Sequence, residues 1–173
     1  MTQLEVSIRP GVPEDANGIL ECLVSTLAER QWFDRDEHEV GINSPDILKE
    51  RIRGFKPGER AYLVAVLEGK IIGFILVVRG SLNSTRHAAD FGMSILPGFR
   101  DRGLGTQLVE AAIDWAKLHR VEKLYCCTLC NNIRAIKLYE KLGFRQEGIR
   151  IKQFKIAGKY VDQILFGKLL NEG

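Results

Sequence analysis

Apolar positions along the chain follow two periods, and the switches between them mark the expected elements. Residues 4–9 alternate as a short strand does. From Pro13-Glu14-Asp15 the period changes. Ile19, Leu20, Leu23, Val24 and Leu27 recur at helical spacing and predict a helix to about Arg30. Acidic residues in its first turn suit the positive end of the helix dipole. Residues 31–43 are polar and irregular. Ser44-Pro45 then reads as an N-cap followed by proline at the first helical position, and the helix it opens carries Ile47, Leu48 and Ile52.

Apolar runs at 61–67 and 71–79, joined by Glu68-Gly69-Lys70, predict a hairpin. A strand at 88–96 is stopped by Pro97, and a helix runs from about Gly103 to His119. A strand at 123–129 precedes a helix that starts at Asn132 and stops at Gly143. Two strands, 144–156 and 160–169, meet at Ala157-Gly158-Lys159. The order β-α-α-β-β-β-α-β-α-β-β implies an α/β (α+β) fold, a mixed sheet flanked by helices. No repeat, low-complexity tract or linker interrupts it. A chain of 173 residues can fill one core and is short for two, so residues 1–173 are expected to form a single domain.

Composition narrows the classes of function. With 45% hydrophobic residues the chain can offset the entropy of ordering, which excludes disorder. The 25 basic and 22 acidic side chains leave a net charge of +3, too even for a nucleic-acid binder. The apolar runs fall well short of the roughly 20 residues that cross a bilayer, and no basic-then-apolar leader opens the chain. A cytoplasmic protein with neither a membrane nor a nucleic-acid partner is expected. Cys22, Cys126, Cys127 and Cys130 should then be thiols. Cys127 and Cys130 have C-x-x-C spacing, but His38, His87 and His119 supply no second ligand pair for zinc. The expectation is small buried residues in a strand and no metal.

Two motifs carry chemistry. Residues 95–106 contain Arg100-x-x-Gly103-x-Gly105 between a strand and a helix. Two glycines permit a sharp turn and close approach of a ligand to the main chain. The unpaired N–H groups and dipole of the following helix favour an anion, and Arg100 and Arg102 add positive charge nearby. No Gly-Lys-Ser/Thr follows, so the turn is not a Walker A loop. Leu108 stands where a dinucleotide fingerprint has its third glycine. A phosphate cradle and a plain strand-to-helix turn remain. The second motif, residues 132–144, reads Asn-Ile-Arg-Ala-Ile-Lys-Leu-Tyr-Glu-Lys-Leu-Gly-Phe.

Together and in this order, the motifs resemble those of the Gcn5-related N-acetyltransferase (GNAT) family. The resemblance covers most of the chain and is weakest over residues 31–60. It implies a single GNAT-like domain with a mostly antiparallel mixed sheet, and acetyl-CoA as co-substrate without a metal. The positions that match the pyrophosphate cradle are Asp101, Arg102, Gly103, Leu104, Gly105 and Thr106, with Arg100 just before them. Met93, Ser94 and Ile95 would hold the pantetheine arm through the main chain, and Asn132 would help to position it. Tyr139 would protonate the departing CoA thiolate. The strand at 88–94 and the ending Gly158-Lys159-Tyr160-Val161-Asp162 resemble a branch with amino-acid, ribosomal-protein and polyamine acetyltransferases. Homodimers are common in the family.

The implied reaction is direct attack of a neutral amine on the thioester carbonyl, with a main-chain N–H as the oxyanion donor. The amine must first lose a proton. An α-amine at a chain end has a pKa near 8, whereas a lysine-type amine near 10.4 needs a stronger base. Some branches of the family place a glutamate at the position of Cys127. Its absence leaves Asp90 and Glu37 as candidate bases and favours an α-amine acceptor: an amino acid, an analogue or a protein N-terminus. Two further readings stay open. Asp34, Asp36, Glu37 and Glu39 could instead form the mouth of a polyamine site, with aminoglycoside or lysine acceptors as variants. A non-catalytic module that senses acyl-CoA is the other. Arg86-His87 could also face the acceptor.

Overall fold

The alternating runs become strands and the helical runs become helices, in the expected order. The computed structural model describes residues 6–29 and 44–171. Its elements are β1 (Ser7–Pro10), α1 (Ala16–Leu27), α2 (Pro45–Arg53), β2 (Arg60–Leu67), β3 (Lys70–Arg79) and β4 (Ala88–Ile95), then α3 (Leu104–Leu118), β5 (Lys123–Leu129), α4 (Ile133–Lys141), β6 (Arg145–Ile156) and β7 (Lys159–Leu169). Short 3-10 turns at Pro13–Asp15 and Pro97–Phe99 precede α1 and the approach to α3. Local chemistry sets the boundaries. The Ser44 side chain accepts from Asp46 N at 3.2 Å and Pro45 occupies the first turn of α2. Asn132 caps α4 by accepting from Ala135 N at 3.2 Å. Among the described residues, no helix is long and apolar enough to cross a membrane.

The seven strands form one sheet in the order β1-β2-β3-β4-β5-β7-β6. Neighbours are antiparallel except β4 and β5, which run parallel. Strand alternation sends side chains to two faces, and each face has its own core. Leu63, Ala65, Ile75, Val77 and Phe91 pack with Leu104, Leu108, Val109 and Ala112 of α3. Tyr62, Val64 and Phe74 pack on the other face with Ile19 and Cys22 of α1 and with Leu48 and Ile52 of α2. Val24 and Ile47, expected within the apolar stripes, are exposed instead. Buried Cys22 and Thr26 turn the inner face of α1 away from Val24. Ile47 lies about 100° around α2 from buried Leu48.

One irregularity creates the site. The parallel register covers Ala88↔Lys123, Ala89↔Leu124 and Asp90↔Tyr125 and goes no further. Yet β4 continues to Ile95, paired with β3 throughout, and β5 continues to Leu129, paired with β7 throughout. Each half-sheet holds its own shape, so the two part beyond Asp90 and leave a gap between them.

A candidate active site at the parting of two strands

The gap is edged by unpaired main chain. Gly80 N donates to Ala88 O at 3.0 Å and Leu96 N donates to Ile72 O at 3.0 Å. These bonds fix the parity of the β3–β4 ladder, so the groups of Asp90, Gly92 and Ser94 face β3. The N–H and C=O of Phe91, Met93 and Ile95 therefore face the gap. Ile95 O is used there by Arg100 Nε at 2.9 Å. The pairing of Asp90 with Tyr125 commits Phe91 N–H to β5, which leaves the Met93 amide to a bound chain.

Beyond Ile95 the glycine-rich turn carries the main chain to the start of α3. Asp101 (φ 60°) and Gly103 (φ 81°) both adopt the left-handed region, and Gly103 caps α3. A Cβ at Gly105 would stand 3.0 Å from Leu138 of α4, so glycine there allows the two helices to approach closely. A groove of about 460 Å³ runs along this turn. Met93, Ser94, Ile95, Arg100, Asp101, Gly103, Gly105, Thr106 and Asn132, all expected at the cofactor, line it. Arg102 is exposed outside the lining, and the Leu104 side chain is buried in the core. Arg100 has a structural task. Its guanidinium holds Glu29 at 2.8 Å as well as the Ile95 carbonyl, which ties α1 to the end of β4. The groove also takes in Arg134, Lys137 and Lys141 from α4, which sequence reasoning missed. Their i, i+3, i+7 spacing beside the glycine turn was the available signal. Arg134 pairs with Asp101 at 2.9 Å.

A second hollow, about 500 Å³, opens on the α1–α2 face of the sheet. Met93, Ser94, Asn132 and Ala135 line both spaces, so groove and cleft join at the gap. Asp90 and Tyr139 both line the cleft. Tyr139 is buried among Phe91, Phe144 and Phe166. Burial, then the adjoining Cys126 sulfur, raises its hydroxyl well above the ordinary tyrosine value. Asp90 is exposed to water, with its carboxyl partly desolvated by the surrounding cleft wall. Burial pushes its carboxyl up to about 6, against a hydrogen bond from the Phe91 main chain. It forms no ion pair with any described residue.

The other expected residues fall elsewhere. Glu37 lies outside the described residues, as do Asp34, Asp36 and Glu39. His87 and Arg86 line neither space. All four cysteines are thiols, but only Cys22 and Cys126 are buried. Cys127 faces the cleft, because one step along β5 reverses the side from that of Cys126, and Cys130 lies beyond the strand end. The expectation of buried thiols is corrected for these two. Burial raises Cys22 to about 12, so it is an inert packing thiol. No group of three or more His, Cys, Asp or Glu among the described residues is placed to hold a metal.

A glycine turn at a helix start, a gap with unpaired amides and a joined cleft fit a long phosphorylated thioester beside an acceptor. Residues 24–144 match the model of the acetyltransferase (GNAT) family. The chain belongs to that family. A spermidine N(1)-acetyltransferase of Escherichia coli (strain K12) is 28% identical over 160 residues, 92% of this chain and 83% of that one. An L-amino acid N-acetyltransferase of the same strain is 30% identical over 128 residues, 72% of this chain and 76% of that one. The crystal structure of a GNAT-family acetyltransferase from Streptococcus pneumoniae superposes with a TM-score of 0.86 at 28% identity, covering 95% of this chain and 99% of that one. This GNAT protein is thus an N-acetyltransferase with acetyl-CoA as its donor.

Proposed function

We propose that the enzyme acetylates a primary α-amine by direct attack, with Asp90 receiving the amine proton and Tyr139 stabilising the departing sulfur. The observation that carries this reading is the meeting of groove and cleft at the gap, with Asp90 and Tyr139 both in the cleft wall. Acetyl-CoA supplies the activated carbonyl. The α3 N-terminus, with Arg134, Lys137 and Lys141, suits its phosphates. The Met93 main chain suits the arm, and a free N–H at the gap suits the carbonyl oxygen as charge develops on it.

The acidity of Asp90 favours an α-amine. Passing a proton from an α-ammonium near pKa 8 to a carboxyl at about 6 costs about 3 kcal/mol; from a lysine-type ammonium near 10.4 it costs about 6. Tyr139 stays protonated throughout the neutral range. Complete transfer from so weak an acid to a thiolate is uphill, so its contribution is a hydrogen bond to developing charge rather than a delivered proton. This narrows the role expected from sequence.

The test is release of CoA thiol from acetyl-CoA over a panel of amines, with products identified by mass. The panel holds amino acids, peptides with varied N-termini, spermidine and an aminoglycoside. Turnover confined to α-amines supports the reading, whereas turnover confined to spermidine or an aminoglycoside refutes it. Tight acetyl-CoA binding with no turnover on any amine would favour a sensor.

A further inference from the structure

We infer that the acceptor is an α-amino carboxylate with an apolar or aromatic side chain, and that Arg51 and Arg60 read its carboxylate. The inference rests on the α-amine reading above and narrows it to one chemical class.

Sheet register places the charges. Arg60 pairs with Val78, and Val78 pairs with Asp90. The three therefore stand in one row and on one face, and all line the cleft. With one strand between them, the Cα atoms of Arg60 and Asp90 are roughly 10 Å apart, so an arginine leaning over Val78 overhangs the space beside the carboxylate. Arg51 enters the cleft from α2 beside Tyr62, whose hydroxyl burial raises and the Arg51 charge partly lowers. Asp90 is the sole acidic residue among the described lining. A polycation such as spermidine would set its further ammonium groups against two guanidiniums.

Place sets these two apart: of the described arginines, Arg51 and Arg60 are the ones that line the cleft. Arg9 holds Asp15, Arg53 holds Glu50, Arg100 holds Glu29 and Arg134 holds Asp101. Arg51 and Arg60 are exposed at the cleft and, like Arg102 and Arg145 elsewhere, form no ion pair with any described residue. Two guanidiniums on one cleft offer bidentate, charge-assisted donors to a carboxylate seated there. Apolar recognition adjoins it. Phe55 stacks on Tyr62 at 6.0 Å between centroids, and Tyr62 meets Phe74 edge-on at 5.5 Å. Between Asp90 and Ser94, Gly92 leaves the floor bare, and a Cβ there would meet no atom within 4 Å.

The carboxylate also bears on the chemistry. On a free amino acid it stabilises the neighbouring ammonium and raises its pKa. Two guanidiniums on the carboxylate oppose that effect and bring the bound ammonium back within reach of Asp90.

The test compares leucine, methionine and phenylalanine with their carboxamides, with the amines that lack the carboxylate altogether, and with spermidine. The carboxamides have the more easily neutralised amine, so chemistry alone favours them. The expected result is kcat/KM about 10- to 100-fold higher for the free acids. Arg60→Gln and Arg51→Gln should raise KM for the acids, leave KM for the amides nearly unchanged and retain acetyl-CoA binding. Carboxamides used as well as the acids by the wild-type enzyme would overturn the inference and leave the α-amine reading standing. Spermidine preferred over every α-amine would overturn both. The wild-type comparison decides even where a variant fails to fold.

Discussion

The cofactor groove and the acceptor cleft share a wall but are built differently. The groove is made mainly of main chain: the Met93 amide, the left-handed turn at Asp101 and Gly103, and the first turn of α3. Its specificity comes from backbone that has nowhere else to bond, so it tolerates changes in many side chains. The cleft is made of side chains from several elements: Arg51 on α2, Arg60 on β2, Asp90 on β4, Cys127 on β5 and Tyr139 on α4. The similar spermidine and L-amino acid acetyltransferases differ in acceptor, the part that a wall of side chains would set. Backbone damage should act on donor binding and side-chain damage on turnover.

The largest separation of the two should come from Asp90→Asn. Loss of a general base costs about 10²- to 10⁴-fold, and we expect kcat to fall in that range while the Kd for acetyl-CoA stays within about twofold. In the wild-type enzyme kcat/KM should fall as pH drops through about 6, because the carboxylate then takes up a proton. A profile without that limb would remove Asp90 from the mechanism. Tyr139→Phe comes next, with kcat reduced about 10- to 100-fold and donor affinity retained, since one hydrogen bond to developing charge is lost. Steady-state kinetics beside calorimetric titration with acetyl-CoA would read both. A variant with full turnover would make Tyr139 a packing aromatic.

Gly103→Val tests the other side. A β-branched residue at φ 81° is strained by about 1–2 kcal/mol, and relief of that strain would misalign the first amides of α3. Acetyl-CoA affinity should drop about tenfold, with kcat at saturating donor little changed. Equal losses in Kd and kcat would show that the groove and cleft do not separate as described.

The same difference explains what could be read in advance. The turn and the Asn132–Phe144 helix are each contiguous in sequence, and the family resemblance they carry pointed to the groove. Arg134, Lys137 and Lys141 sat within that motif and needed only the helical period to be found. Arg51 and Arg60 could not be found in this way. They meet Asp90 only through the pairing Arg60↔Val78↔Asp90 and the seating of α2 on the sheet, and neither fact is local in sequence. Arg100 lines the groove as expected, but its pairing with Glu29, on a distant segment, could not be read from the turn. Composition made Cys127 a core residue; the alternation of β5 sends it to the cleft.

The smallest expected effect is on stability and sets the cleft's chemistry against its folding. Asp90 has a pKa of about 6 in the folded chain against about 3.9 unfolded. The folded state therefore binds the proton more tightly, and unfolding releases it between these values. Stability falls as pH rises from about 4 to about 6, and the deficit then persists at pH 7. Solvent contact screens part of it, which leaves about 1 kcal/mol. Asp90→Asn removes the deficit. The inactive variant should melt about 2–4 °C above wild type at pH 7 and show no such gain near pH 4, where the wild-type carboxyl is already neutral. Thermal melts at the two pH values would read this. A gain of equal size at both would trace it to packing rather than charge. Against its absence at pH 7, Asp90 would be fully hydrated and no longer tuned toward the α-amine.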